Sequence, residues 1–271
     1  MASILVDNVS IDFPVYYGAR SLKKTLLHHA VGGIIGYDSR NRTCVHAIRG
    51  LSFRLEKGDR VGVIGPNGAG KTSLLRALAG IYEPSQGRIR IEGKVTSLID
   101  CTSGFDSESS GYDNLFLRSS ILGYSKSYIQ DKLDDIIKFS DLGDFLYLPM
   151  RMYSSGMTAR LVFATVTAFD PEVLLLDEWL GVGDANFIEK AQRRAEEFVN
   201  RSSIMVIASH SNTIIQRLCN KVIWLENGTL RAMGTADDIL PQYASGLSGL
   251  PDQGIESGPD PVEVTHHATQ S

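Results

Sequence analysis

A glycine-rich run, G-P-N-G-A-G-K-T-S, occupies residues 65–73. An apolar V-G-V-I precedes it, and S-L-L-R-A-L-A follows with leucines at 74, 75 and 78 in helical spacing. A chain that passes from a buried strand into a helix through such a loop is committed to an α/β arrangement. The glycines let the backbone wrap tightly, so that successive N–H groups and the positive end of the helix face one point. That point suits phosphate. Gly65, Gly70, Lys71 and Thr72 fall in the register G-x-x-x-x-G-K-[ST], with Pro66, Asn67, Gly68, Ala69 and Ser73 completing the loop. In this register Lys71 reaches the β- and γ-phosphates of a nucleoside triphosphate and Thr72 ligates Mg²⁺. A plain glycine turn before a helix is the alternative; lysine and threonine at these places argue against it.

A phosphate loop of this kind needs a carboxylate for the metal at the end of a neighbouring strand. V-L-L-L at 173–176 is a short buried strand, and Asp177 closes it. Glu178 comes next. Water is a poor nucleophile, and a carboxylate beside the terminal phosphate can accept its proton or orient it. A strand that merely ends at the surface would show the same acidic pair.

Around these points strand and helix patterns alternate. Short β-like pieces lie at 4–6 and 9–11, then at 51–55, 88–93 and 203–209. Helical patterns cover 71–79, 112–122, 125–139, 157–168, 188–199 and 212–219, the second of the longer ones with Ile129, Leu133, Ile136 and Ile137 on one side. Asn227–Gly228 reads as the turn of a hairpin. Residues 14–46 interrupt this order as an irregular excursion with scattered glycines, aromatics and basic residues. From 245 the sequence is polar and rich in Gly, Pro and Ser, which predicts weak order. The alternation predicts a parallel α/β core, and the β-rich ends and helical middle predict two lobes.

The net charge of −4 gives no sign of a nucleic-acid partner, since duplex binders usually present a basic surface. Cys44, Cys101 and Cys219 are far apart and form no metal spacing. The start, M-A-S-I-L-V-D, is not a signal peptide, and no apolar run approaches the ~20 residues that cross a bilayer.

Residues 153–157 read Y-S-S-G-M, directly before a helical T-A-R-L-V-F-A. Ser154 or Ser155 suits an ordinary helix cap. A serine hydroxyl and a bare glycine N–H at a helix N-terminus also hold an anion well. With the phosphate loop, the Asp177–Glu178 pair and a histidine, His210, after a second core strand, the chain resembles the ATP-binding subunits of ATP-binding-cassette transporters. The resemblance covers roughly residues 4–240. It implies a P-loop ABC-type nucleotide-binding domain with a RecA-like core, an antiparallel β subdomain and a helical subdomain.

Carried over residue by residue, the resemblance makes Ser154, Ser155, Gly156 and Met157 the signature loop, although Tyr153, Ser155 and Met157 depart from the usual L-S-G-G-Q. That loop closes over the γ-phosphate held by a second copy of the chain. Gly181–Asp184 takes the place of the D-loop, with Asp184 at its aspartate, and His210 takes the place of the switch histidine, able to bond γ-phosphate and support Glu178. Lys71, Glu178 and His210 form the expected catalytic set, and Thr72, Asp177 and Asp100 the expected metal set. Asp100 stands where the family places a glutamine. Phe13 or, next, Tyr16 is expected to stack on adenine. ATP and Mg²⁺ are the implied ligands.

The signature Y-S-S-G-M, L-L-L-D-E-W-L-G-V-G-D at 174–184 and the acidic residue before G-F are similar to the branch that exports bacterial O-antigen, capsule and teichoic acid. The resemblance implies an ATP-sandwich homodimer on two copies of a polytopic membrane permease, peripheral to the cytoplasmic face of the inner membrane. A lipid-linked polysaccharide would pass through the permease, whose cytoplasmic helix would dock near residues 100–125. Export of a drug, lipid or peptide, and a soluble cassette role, are the other readings. The expected division is one nucleotide-binding domain over 1–240, with an N-terminal insertion at 14–46 and a mainly helical subdomain at 112–168, and a short tail over 241–271. The residues after Leu240 are too few for the glycan-binding β-sandwich that some O-antigen exporters carry.

Overall fold

The computed structural model describes residues 2–15, 34–37, 43–99, 104–178 and 185–247. Tyr16, Asp100, Asp184, the 181–184 loop, most of the 14–46 excursion and the tail from 248 lie outside the described residues.

Two sheets share one apolar layer. The first is antiparallel, in the order β2 (Ile34–Tyr37), β3 (Thr43–Glu56), β1 (Ser3–Pro14), β5 (Gln86–Glu92). The second has six strands, in the order β10 (Thr229–Gly234), β9 (Lys221–Glu226), β4 (Arg60–Ile64), β8 (Ile204–Ala208), β7 (Val173–Asp177), β6 (Val95–Leu98). All its neighbours are parallel except β9–β10. Between the sheets Ile4, Ile11, Ile48 and Leu51 of the antiparallel lobe meet Val61, Val63, Leu74 and Leu75 in one buried cluster.

The helices are α1 (Lys71–Leu78), α2 (Gly111–Ile121), α3 (Lys126–Ser140), α4 (Ser155–Thr167), α5 (Ala185–Arg201), α6 (Asn212–Leu218) and α7 (Ala236–Leu247). Helices α2, α3 and α4 form a lobe of their own around Leu115, Ile129, Ile136 and Leu161, with Phe187, Ala191 and Ala195 of α5 closing it. The four-residue spacing of those last three puts them on one face of α5; Glu189 and Arg193 between them stay in water, whereas Arg194 is largely covered and pairs with Asp135 of α3.

Three parts differ from the sequence reading. β1 is one strand rather than two pieces; register shifts against β3 between Val6 and Asp12, with Asn8 at φ 48°, break the alternation that would have revealed it. The excursion contains β2, and β3 begins at Thr43, before the expected strand at 51. Gly36 makes β2 look like a loop, yet a Cβ there would stand 2.5 Å from His46 Nε2, so the glycine leaves room for that ring on β3. At the other end the boundary at 240/241 falls inside α7, which continues through Pro241 to Leu247 and sets Tyr243 edge-on to Trp224 at 5.4 Å.

Candidate nucleotide site

The loop after β4 is shaped by what a side chain would strike. A Cβ on Gly65, at φ 147°, would lie 2.2 Å from the Leu225 carbonyl oxygen, and one on Gly70, at φ 101°, would lie 2.6 Å from the Ala47 oxygen. The 65–73 loop is therefore pressed against β9 on one side and β3 on the other. Gly70 is the N-cap of α1 and offers no side-chain cap, and the first intrahelical bond runs from Leu74 N–H to the Gly70 carbonyl. The amides of Lys71, Thr72 and Ser73 thus have no acceptor within the helix. Open amides at a helix N-terminus, in a cradle too tight for a Cβ, fit a phosphate chain.

Lys71 is 8% exposed, and its ammonium donates to the carbonyl oxygens of Gly65 (2.8 Å) and Pro66 (3.1 Å). Burial lowers its pKa, while Glu178 and Asp177 oppose that shift as nearby carboxylates. Thr72 Oγ1 donates to Asp177 Oδ1 over 3.3 Å. One carboxylate and one hydroxyl fit Mg²⁺, which completes its octahedron from waters and phosphates rather than from an all-protein cage.

Glu178 follows β7 with φ 70°, a left-handed backbone that costs a non-glycine residue about 1–2 kcal/mol. Asp177 pairs in register with Ala208, so Glu178 reaches the end of β8. Its N–H donates to the Ala208 carbonyl at 2.8 Å. Its Oε2 accepts from Ser209 Oγ, and its Oε1 accepts from the His210 N–H, both at 3.1 Å. The His210 imidazole is also on this side, its Nε2 4.0 Å from Glu178 Oε1, so His210 meets Glu178 through both its backbone and its ring.

Ser154 is the N-cap of α4, where its Oγ accepts from the Met157 N–H at 3.2 Å. Ser155, Gly156 and Met157 form the first turn, and both serines are exposed. Within one copy the contacts of Thr72 with Asp177 and of Glu178 with Ser209 and His210 bring together 65–73, 177–178 and 208–210; among the described residues no hydrogen bond joins Ser154–Met157 to the 65–73 loop. Phe13 lies on β1 with its ring edge-on to Tyr82 at 5.0 Å. Tyr82, which also accepts from Arg76 Nη1 at 3.0 Å, escaped the sequence reading, as did Ser209. Ser209 precedes His210 at a strand end, the one signal that would have found it.

A glycine cradle after β4, with the carboxylates of β7 and the end of β8 beside it at the carboxyl edge of parallel strands, defines a P-loop nucleoside-triphosphate-binding core. Residues 48–181 match the ABC transporter family model. The O-antigen export system ATP-binding protein RfbE of Yersinia enterocolitica is 44% identical over 231 residues, 85% of this chain and 97% of that protein. The teichoic acids export ATP-binding protein TagH of Lactococcus lactis is 38% identical over 210 residues, 78% of this chain and 45% of that longer protein. A solved ATP-binding subunit of an ABC transporter, 22% identical, superposes with a TM-score of 0.64 over 91% of this chain and 95% of that one, which shows a shared fold. The chain belongs to the ABC-transporter ATP-binding subunits, in the family that includes the O-antigen and teichoic-acid export proteins. Its fold is the RecA-like ABC ATPase core with an antiparallel β subdomain and a helical subdomain.

Proposed function

We propose that the chain is the ATP-hydrolysing subunit that powers export of a lipid-linked cell-surface polysaccharide through a separate membrane permease. The observation that carries this is the likeness to RfbE along nearly that protein's whole length. O-antigen is the preferred cargo on the same ground; the likeness to TagH makes teichoic acid the second reading.

In this reading the amides of the 65–73 loop and the Lys71 ammonium hold the phosphates of ATP. Thr72 and Asp177 hold Mg²⁺, which when bound neutralises charge on the phosphate oxygens. Asp100 adds a metal or water contact, and Phe13 or Tyr16 stacks on adenine. Glu178 takes a proton from the attacking water, with His210 beside it. Ser154–Met157 and Asp184 come from a second copy, which agrees with an exposed signature turn unconnected to its own loop. The protein sits on the cytoplasmic face of the bacterial inner membrane against two permease subunits, without nucleic acid. Among the described residues no helix is long and apolar enough to cross a membrane. Leu117, Ile121, Tyr147 and Met152 are exposed on the helical lobe, apolar surface of the kind a partner's cytoplasmic helix covers.

The test is purification of the tagged chain from its own membranes, with mass spectrometry of the co-purifying protein and lipid. A polytopic membrane protein carrying a glycolipid is the expected result. A soluble complex with ribosomes, or a permease carrying a drug, lipid or peptide and no glycan, would overturn the reading.

A further inference from the structure

We propose that Ser209 is a positioning residue for Glu178, fixing the carboxylate through a hydroxyl that has one direction left in which to donate. This rests on Glu178 acting as the general base.

The geometry is local and closed. Ser209 is 3% exposed, so water does not compete for its hydroxyl. Its Oγ already accepts from the Ser211 N–H at 3.1 Å. A hydroxyl has a single proton, and an ionised carboxylate only accepts, so the proton goes to Glu178 Oε2 at 3.1 Å. The other oxygen is held by the His210 N–H, and the Glu178 N–H is held by Ala208. Three consecutive residues at the end of β8 therefore hold the backbone and both carboxylate oxygens of one side chain. Of those three contacts only the Ser209 hydroxyl is donated by a side chain of the β8 end; the other two use its main chain and do not depend on the side chain at 209.

The need for such a hold follows from the backbone. Glu178 is in the left-handed region at φ 70° and about half exposed, so packing alone does not select its rotamer. Each carboxylate oxygen keeps a second lone pair for a water. Without the Ser209 contact the carboxylate pivots about the single bond to His210, and an ångström-scale misplacement of a catalytic group costs up to about 10²-fold in rate.

The experiment uses the full chain with Mg²⁺-ATP and compares S209A, S209T, S209C and E178Q. The expected result for S209A is a kcat reduced about tenfold, with KM and the binding of a fluorescent ATP analogue within about twofold of wild type. S209T, which keeps the hydroxyl, restores most of kcat. Where S209A does not fold, S209C reads the same contact, since a thiol is close in size and a weak donor; kcat should then fall with native binding retained. A kcat for S209A, or for S209C in its place, within about twofold of wild type overturns the proposal. So does equal loss in S209A and S209T, or a loss of nucleotide affinity in place of kcat. E178Q separates this from the reading beneath it: wild-type turnover by E178Q removes Glu178 as the base, whereas an inactive E178Q beside an unaffected S209A removes Ser209 alone.

Discussion

Thr72 Oγ1 and Asp177 Oδ1 stand 3.3 Å apart, joining the first turn of α1 to the end of β7. The hydroxyl belongs to the loop that follows β4, and the carboxylate to a strand separated from it by β8. Asp177→Asn keeps the size and removes the charge. Nucleotide binding in EDTA should be unchanged, while the Mg²⁺ concentration needed for half-maximal ATPase should rise about 10- to 100-fold, the scale for loss of a metal-orienting group. Titrating Mg²⁺ at fixed ATP measures it, and an unchanged requirement would remove Asp177 from the metal.

The Ser154 hydroxyl caps α4 whether or not it also meets a phosphate. Ser154→Asp distinguishes the two roles, because aspartate caps as well as serine but repels an anion. Its melting temperature should match wild type. In an E178Q background its ATP-dependent dimer should vanish from analytical ultracentrifugation. A dimer as stable as that of E178Q alone would leave Ser154 with the cap only. Ser154→Ala should instead lose about 1 kcal/mol of stability.

Cys219 is buried, and desolvation pushes its thiol up to about 12 from a usual 9.0. Below pH 9 the thiol is neutral both folded and unfolded. Above it the unfolded chain releases the proton while the folded chain keeps it, so this group's contribution is lost as pH rises from 9 toward 12. Native protein at pH 8 should leave Cys219 unmodified by iodoacetamide, with full labelling in urea, read by peptide mass spectrometry. Rapid native labelling would contradict the burial.

Tyr243 packs edge-on against Trp224 from the last turns of α7. Tyr243→Ala should lower stability by about 1–2 kcal/mol, the aromatic contact plus partial burial. Cutting after Leu240 removes the same contact and should lower the melting temperature at least as much. A melt of the cut chain identical to wild type would show that the end of α7 contributes nothing.

What could be read from sequence tracks the range of the interactions involved. The 65–73 loop, Asp177–Glu178, the cap at Ser154 and the Asn227–Gly228 turn, with φ 50° and 77°, each carry a pattern written in adjacent residues, even where distant residues hold them in place. β2 was hidden because Gly36 answers to His46 on another strand. The end of α7 was hidden because Pro241 and Gly246 look like helix breakers. A Cβ on Gly246 would come within 3.2 Å of the Trp224 ring, so that glycine serves a tertiary contact rather than a loop. Ser209 has only its place before His210 at a strand end to mark it, and its partner Glu178 lies on another strand.

The position of β4 within its sheet has a consequence for synthesis. β4 lies between β8 and β9, whose residues, 204–208 and 221–226, come near the end of the described chain. Gly65 rests on the Leu225 carbonyl, and the Gly228 N–H bonds the Ala69 carbonyl at 3.1 Å. A nascent chain halted before residue 228 has the glycine sequence outside the ribosome but lacks the wall against which it curls. Pairing so distant in sequence forms late and slowly. The wall of the glycine loop is therefore complete only once nearly all of the described chain has emerged.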